Sequence, residues 1–435
     1  MKNFRWIIIG LIGLATVINY IDRNALAIMW PEIGADTGIS KQSYATIISI
    51  FMIFYAIGQA VSGRIIDRIG TRLGFLLSIS IWSIACGLHA LTRGVLSLVS
   101  FRALLGLSEA GNWPGATKAI AEWFPKHERA FAQGIFNAGA SLGAVISAPV
   151  VACLFGYLGW RATFLVIAGL GLIWVLPWWL LARSSPASHP WITREERDYI
   201  LKGEKPAPEI SNPKSENPKS HPPAAAIGMT WSQAASHRET WSVIVSRFFI
   251  DPIWWLFVSW LPIYLHDRFG FDIKDIGSSA WVPYLGAAVG SLSGGWFSGF
   301  MMQRGWTVDR ARKRAVYIGA LFTFPALIIV AFASAPACAI AAMAIALCGF
   351  QIMINNIQTL PSDFYSGKSV GTVAGMGGMS AVLGTLVFST WLVPALSGIG
   401  YEYVFLLIAI LVPLGVASMH HFSGVIRRID TTAKQ

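Results

Sequence analysis

Charge is what this sequence has little of. Only 13% of its 435 residues are Asp, Glu, Lys or Arg, against about a quarter in soluble domains, while 54% are hydrophobic. That balance excludes a water-soluble globular fold. Cysteine is scarce too: Cys86, Cys153, Cys338 and Cys348 fall in apolar segments without metal-ligand spacing, so buried packing is their reading. The eight histidines, His89, His127, His189, His221, His237, His266, His420 and His421, lie at the ends of apolar segments or between them. A membrane-embedded metalloenzyme, which needs paired histidines and an acid, has no constellation to work with, and no metal or other cofactor is expected. No folded soluble domain is attached through which a sensor without transport could signal. No small-residue cleavage pattern follows the first apolar stretch, which is therefore expected to be retained as structure.

What is present is length of apolar run. Segments of about 20 residues recur at 5–30, 43–66, 73–91, 95–118, 129–154, 160–182, 241–265, 277–302, 315–334, 337–361, 369–396 and 401–421, each enough for a hydrocarbon core about 30 Å thick. In lipid each must satisfy its own backbone, so the expectation is an all-α membrane protein of twelve transmembrane helices. The net charge of +11 is not a nucleic-acid signal, because its placement alternates. Assigning the termini and every second loop to one side collects about 25 of the 33 Lys and Arg there, which predicts a cell inner (plasma) membrane protein with both termini cytoplasmic.

The first span carries a polar island, Asn19-Tyr20-Ile21-Asp22-Arg23-Asn24. An ion near the bilayer centre costs about 2.5–3.5 kcal/mol, so two there imply a use. A helix ending at Tyr20 would instead leave Asp22 and Arg23 among the headgroups. The fourth span adds Arg102, Glu109 and Asn112; Arg102 and Glu109 are seven apart and share a helical face, and Trp113-Pro114-Gly115 should interrupt the helix behind them. Tyr55 and Gln59 share a face of the second span and suit a hydroxylated ligand. In the fifth, Asn137 is a further cavity candidate among Gly134, Gly139 and Gly143, which read as packing residues.

Between spans two and three, Gly63, Asp67, Arg68, Gly70 and Arg72 suit closely packed helices with Asp67 near a neighbouring helix N-terminus. From Ser184 to Arg238 prolines, serines and charges replace the apolar pattern, with the repeat Asn212-Pro213-Lys214-Ser215 and Asn217-Pro218-Lys219-Ser220; this reads as a disordered linker ending in a surface helix near Trp231. Six spans lie on either side, residues 1–183 and 239–435, suggesting two pseudo-symmetric bundles with a ligand site between them. In the second, Arg247 and Asp251 are four apart and read as an ion pair along the helix. Trp254 and Trp255 sit deep enough to wall a sugar ring. Asn355, Asn356 and Gln358 exceed what packing needs in one turn, and Ser380 lies on a glycine-rich, mobile eleventh span.

Two acids, Asp22 and Glu109, beside two arginines, Arg23 and Arg102, define a switch. Arginine offers a planar fork for a carboxylate, so an incoming organic anion competes for it and the released acid takes up a proton. The loop between spans two and three resembles the signature of the major facilitator superfamily, in which it is a conformational latch. Asn19-Tyr20-x-Asp22-Arg23, Arg102…Gly106…Glu109-Ala110…Pro114-Gly115, Glu122-Trp123-Phe124-Pro125…Glu128-Arg129 and Gly371-Thr372-Val373-Ala374-Gly375 resemble the anion:cation symporter family within it. Residues 192–200 and Arg247-Phe248…Pro252…Trp260-Leu261-Pro262 most resemble its hexuronate carriers. The resemblance implies proton coupling at Asp22 and Glu109, and sugar-acid contacts at Tyr20, Arg23, Tyr55 and Arg102. Some hexuronate carriers lack the acid matching Asp22. The expected protein is a monomeric proton symporter for a small sugar-acid anion, a hexuronate first and an aldonate or aldarate second.

Overall fold

The computed structural model describes residues 3–183, 185–202 and 228–429. These form α1 (Phe4–Thr37), α2 (Lys41–Ile69), α3 (Thr71–Leu88), α4 (Val95–Glu109), α5 (Asn112–Trp123), α6 (Lys126–Leu181), α7 (Arg194–Lys202), α8 (Trp231–Ala235), α9 (Arg238–Phe269), α10 (Ile273–Ser279), α11 (Trp281–Gln303), α12 (Val308–Phe332), α13 (Pro336–Phe364), α14 (Val370–Thr385), α15 (Val393–Ser397) and α16 (Tyr401–Ser423). Among the described residues there is no strand. Backbone groups are satisfied within each helix, as hydrocarbon demands.

Nine of the helical stretches are long and apolar enough to cross a membrane by themselves, three fewer than the apolar runs of the sequence. The difference has local causes. Two runs are joined in α6, which is 56 residues long and bends at Gly159, whose φ of 73° is left-handed. A third is divided into α4 and α5, because the chain breaks at Ala110-Gly111 just before Trp113-Pro114-Gly115. The fourth is α11, 23 residues or about 34 Å long, but diluted by glycine and serine.

Helices α1 to α6 form one bundle and α9 to α16 the other. They meet along two seams, α2 against α14 and α6 against α11. Glycine permits the approach: a Cβ on Gly63 would stand 2.1 Å from the Gly371 carbonyl oxygen, and one on Gly295 2.3 Å from that of Ala130. Both described chain ends lie at one end of the molecule. Arg5 bonds Glu128 at the start of α6, and Lys313 at the start of α12 donates to the Gly424 carbonyl after α16.

Part of the connection expected to be disordered is folded. Glu196 of α7 accepts from the backbone N–H groups of Phe4 and Arg5 and from the Arg5 guanidinium, so it caps α1 while α7 straps the end of the first bundle. The helix near Trp231 is α8, capped by Thr230. The Asn-Pro-Lys-Ser repeat lies outside the described residues. Of the cysteines only Cys86 is buried outright; Cys153 and Cys338 are exposed, on outer helix faces that apolar side chains also occupy.

Candidate functional site

The polar island lies within one continuous helix. α1 runs unbroken from Phe4 to Thr37, so Asp22 and Arg23 sit midway along it, not in a terminal turn. A narrow cavity opens beside it between the bundles, lined by Tyr20, Arg23, Tyr55, Gln59, Trp113 and Asn137 from the first and Arg247, Asp251, Trp254, Trp255, Gln351 and Gln358 from the second.

Arg23 is the charged centre of the first wall. Its Nη2 and Nε donate to Glu109 Oε2 at 2.8 and 3.2 Å. Four rings surround its guanidinium, with centroids at 4.7 Å for Tyr55, 5.4 Å for Tyr20 and 5.5 Å for Phe51 and Trp255. Such a cage holds a planar cation through its faces and leaves the edge free to grip an anion. Behind it the ions continue. Asp22 is 1% exposed with Arg102, Glu109 and the Cys86 thiol around it, and Arg102 is equally buried. Arg102 Nε and Nη2 have no hydrogen-bond partner, and beyond the Arg23 pair the two carboxylates have only weak neutral neighbours, the Cys86 thiol for Asp22 and the Asn19 amide for Glu109. Buried ionic groups left this way are costly and belong where charge must change. Asp22 and Arg23, about 100° apart on α1, thus address different neighbours.

The second wall has one ion pair and several amides. Arg247 bonds Asp251 at 2.8 and 3.2 Å along α9, as the spacing predicts, and both also face the cavity. Trp254 donates from Nε1 to Tyr20 OH at 3.0 Å, joining the two walls at the rim of the site. Below, Gln133 and Asn137 donate to Gln358 Oε1 at 2.9 and 2.8 Å, and Asn137 also donates to Asn355 Oδ1.

From Tyr20–Trp254 the bonds between bundles run toward the end that carries both termini. Asp67 accepts there from the backbone N–H groups of Gly371 and Thr372 at 3.0 and 2.6 Å and from the Thr372 hydroxyl at 2.7 Å, capping the start of α14 as the sequence predicts for this acid. Lys118 of α5 stands 3.1 Å from Asp67 and 2.9 Å from the Gly367 carbonyl oxygen. Arg129 donates to the Ser362 carbonyl at 2.6 Å, and Arg312, paired with Asp363 at 2.8 Å, donates to the Lys126 carbonyl at 3.1 Å. The motif residues around Asp67 divide in function. Gly63 lies in the seam, Gly70 makes the turn with φ 84°, Arg72 donates to the Trp179 carbonyl over that residue's ring, and Arg68 points outward.

Of the residues singled out from sequence, Tyr20, Arg23, Tyr55, Gln59, Trp254 and Trp255 line the cavity. Asp22, Arg102 and Glu109 lie behind that wall. Asn112, Asn355, Asn356 and Ser380 are turned elsewhere. Asn112 donates to Thr16 Oγ1, Asn355 to the Ser291 carbonyl, Asn356 to the Ile352 carbonyl and Ser380 to the Ile244 carbonyl, so their amides and hydroxyl serve helix packing. Sequence reasoning passed over Trp113, Phe350 and Gln351, and valued Arg247 and Asp251 only as a pair. Helical arithmetic from Gln358 would have found Gln351, seven residues earlier on the same face, and set Asn356 aside as about 200° away.

The Major Facilitator Superfamily profile matches residues 12–389. Over 417 residues the chain is 32% identical to the hexuronate transporter of Escherichia coli, covering 95% of this chain and 93% of that one. It is 33% identical over 323 residues to the galacturonate transporter of Dickeya chrysanthemi, covering 74% and 89%. Among solved structures, the Escherichia coli fucose:proton symporter superposes with a TM-score of 0.70 at 12% identity over 96% of this chain and 99% of that one, a likeness of fold.

Proposed function

The chain belongs to the Major Facilitator Superfamily, and on that premise we propose that it imports a hexuronate such as glucuronate or galacturonate together with protons. The observation that carries this reading is Arg23, held in the cavity by four aromatic rings and tied to one buried carboxylate. A sugar-acid carboxylate arriving at the guanidinium edge competes with Glu109 for it. Glu109, released in a dry interior, is stabilised by taking a proton, and Asp22 beside Arg102 follows as the local field changes. Cargo binding and proton uptake are thereby coupled through the same arginine, so the two are loaded together, which is what symport requires.

The remainder of the lining suits a pyranose. Trp254 and Trp255 offer apolar faces to the ring, while Asp251, Gln59, Gln351 and Gln358 offer acceptors and amides to its hydroxyls. Arg247 supplies a second cation from the opposite bundle, so a bound anion draws the two bundles together. Conversion to the other state breaks the cap on α14 at Asp67, the step in which the latch acts. In this reading the latch end faces the cytoplasm, the protein lies in the inner membrane, and one chain completes the site as a monomer.

Uptake of labelled acids into proteoliposomes under an imposed pH gradient tests the proposal. Accumulation of glucuronate or galacturonate that collapses with a protonophore is the expected result. Accumulation of an aldonate or aldarate alone would replace the cargo, since those acids share the carboxylate but lack a ring to stack; no accumulation of any sugar acid would remove the reading altogether.

A further inference from the structure

A second concavity lies on the outside of the second bundle, far from the cargo site. It is an open groove between α12 and α16, lined by Tyr317, Ala320, Phe324, Val412, Pro413, Val416, Ala417 and His420. Small residues at Ala320 and Ala417 hollow it between larger neighbours. Leu321 is 72% exposed beside it and Ile410 55%, an oily surface that only a hydrocarbon environment would tolerate.

Its two ends differ in chemistry. From Phe324 to Ala320 and from Val412 to Ala417 the lining is apolar for about 6–8 Å along the helices. At the end nearer the chain termini Tyr317 OH meets His420 Nδ1 at 2.5 Å, the polar pair of the groove. Arg314, one turn before Tyr317 on the same face of α12 and close enough to act on its phenol, is exposed, and Arg310 continues the stripe one turn further. The acid of this stretch, Asp309, also acts on the Tyr317 phenol, more strongly than Arg314 does, but its own charge is met by Lys313. Asp309 is bonded to Lys313 at 2.7 Å and accepts the Ile426 N–H at 3.0 Å.

An apolar slot ending in a phenol, an imidazole and two arginines is complementary to one chain of a lipid and an anionic headgroup above it. We propose that this groove is a binding site for an anionic glycerophospholipid, with an acyl chain along Phe324, Val416 and Ala417 and the phosphate at Arg314, Tyr317 and His420. Two features of the groove favour lipid over a protein helix as the occupant: the charge is confined to the end nearer the chain termini, and the rest of the slot offers no side-chain hydrogen-bonding group for a partner to meet.

The test is native mass spectrometry of the full-length protein, extracted in mild detergent and titrated with phosphatidylglycerol or phosphatidylcholine of identical chains. One phosphatidylglycerol should be retained about five- to tenfold more strongly than phosphatidylcholine, the equivalent of roughly 1 kcal/mol per cation near a lipid surface. Arg314→Gln should reduce that preference about fivefold. Ala320→Trp, which fills the slot without touching charge, should lose the adduct for either lipid. Arg304→Gln, which removes an exposed cation stacked on Phe300 away from the groove, should change nothing. Equal retention of the two lipids overturns the proposal, as does an adduct that survives Ala320→Trp. A preference lost as much with Arg304→Gln as with Arg314→Gln overturns it in favour of diffuse surface charge. Appearance of a dimer in place of the lipid adduct, abolished by Ala320→Trp, would make a second copy the occupant and overturn it too.

Discussion

The two bundles have the same helical plan and different interiors. At the cavity the first presents Arg23, with Glu109, Asp22 and Arg102 stacked behind it out of reach of the cargo space. The second presents Arg247 and Asp251 at the surface of the cavity, satisfied by one another, with glutamines beside them. Unpartnered buried ionic atoms in this part of the molecule gather in the first bundle, while bridging amides come from both, Asn137 from the first and Asn355 from the second. The seams differ in the same sense. On one, an acid of the first bundle caps a helix of the second; on the other, Arg312 of the second bundle reaches a carbonyl of the first while its charge is balanced at home by Asp363. The difference separates two tasks. On the proposed reading, the first half holds the groups that change charge, behind the cavity wall, and the second adds a satisfied ion pair and glutamines at its surface.

The largest effect that would break this comparison is expected at the first arginine. Arg23→Ala leaves Glu109 buried without its cation, a loss of ~2–5 kcal/mol, and should weaken sugar-acid binding by a hundredfold or more on the order of that cost. Glu109→Gln should instead keep counterflow exchange and lose accumulation driven by a pH gradient; if accumulation persists, the proton is not held at Glu109. Next in size is Arg247→Gln. Loss of one charged hydrogen bond should raise the half-saturation concentration about tenfold, ~1.5 kcal/mol, while the pH dependence of uptake stays as it was. A shift of that pH dependence would show that the second bundle also carries coupling.

Asp67→Asn comes third. Removing the charge from the α14 N-terminus costs about 1 kcal/mol, which should raise the population open at the latch end about fivefold. Pulsed electron resonance between labels at Arg68→Cys and Lys368→Cys, with Cys153 and Cys338 replaced by serine, would read it as a longer distance; an unchanged distribution would demote the cap to packing. The smallest effect belongs to the strap. Burial holds the His189 imidazole below its ordinary pKa, and its ring is fixed by the Leu181 carbonyl and the Trp191 N–H. The undocked strap therefore binds a proton more readily than the docked one, so docking is complete at neutral pH and weakens as pH falls through about 6.5. Faster amide exchange over α7 at pH 5.5 than at pH 7.5, after correction for intrinsic rates, is the expected outcome.

Much of this was legible in the chain. Apolar run length marked the crossings, and the break before Trp113-Pro114-Gly115 was written in a proline and a glycine. Asp67 was placed at a helix N-terminus because a short turn with an acid among bases has few other uses for it. The strap was misread as disordered because its proline- and charge-rich composition resembles a linker. What stabilises it is remote: Glu196 caps a helix that starts at Phe4. The amides of α13 were misassigned for a similar reason. A cluster in one turn points in several directions, and only Gln358 of the three points into the cavity.

The sequence by itself determined how often the chain crosses, that ions lie inside it, and which residues share a face of a given helix, because these follow from local periodicity and the cost of bare charge in hydrocarbon. Only the tertiary structure decided that Arg23 pairs with Glu109, 86 residues away, and not with its neighbour Asp22. It alone put Arg247 and Asp251 at the cavity and Arg102 behind its wall. The rotation of each helix about its axis is set by packing against partners distant in the chain, and at about 100° per residue a single position separates the cavity from the seam.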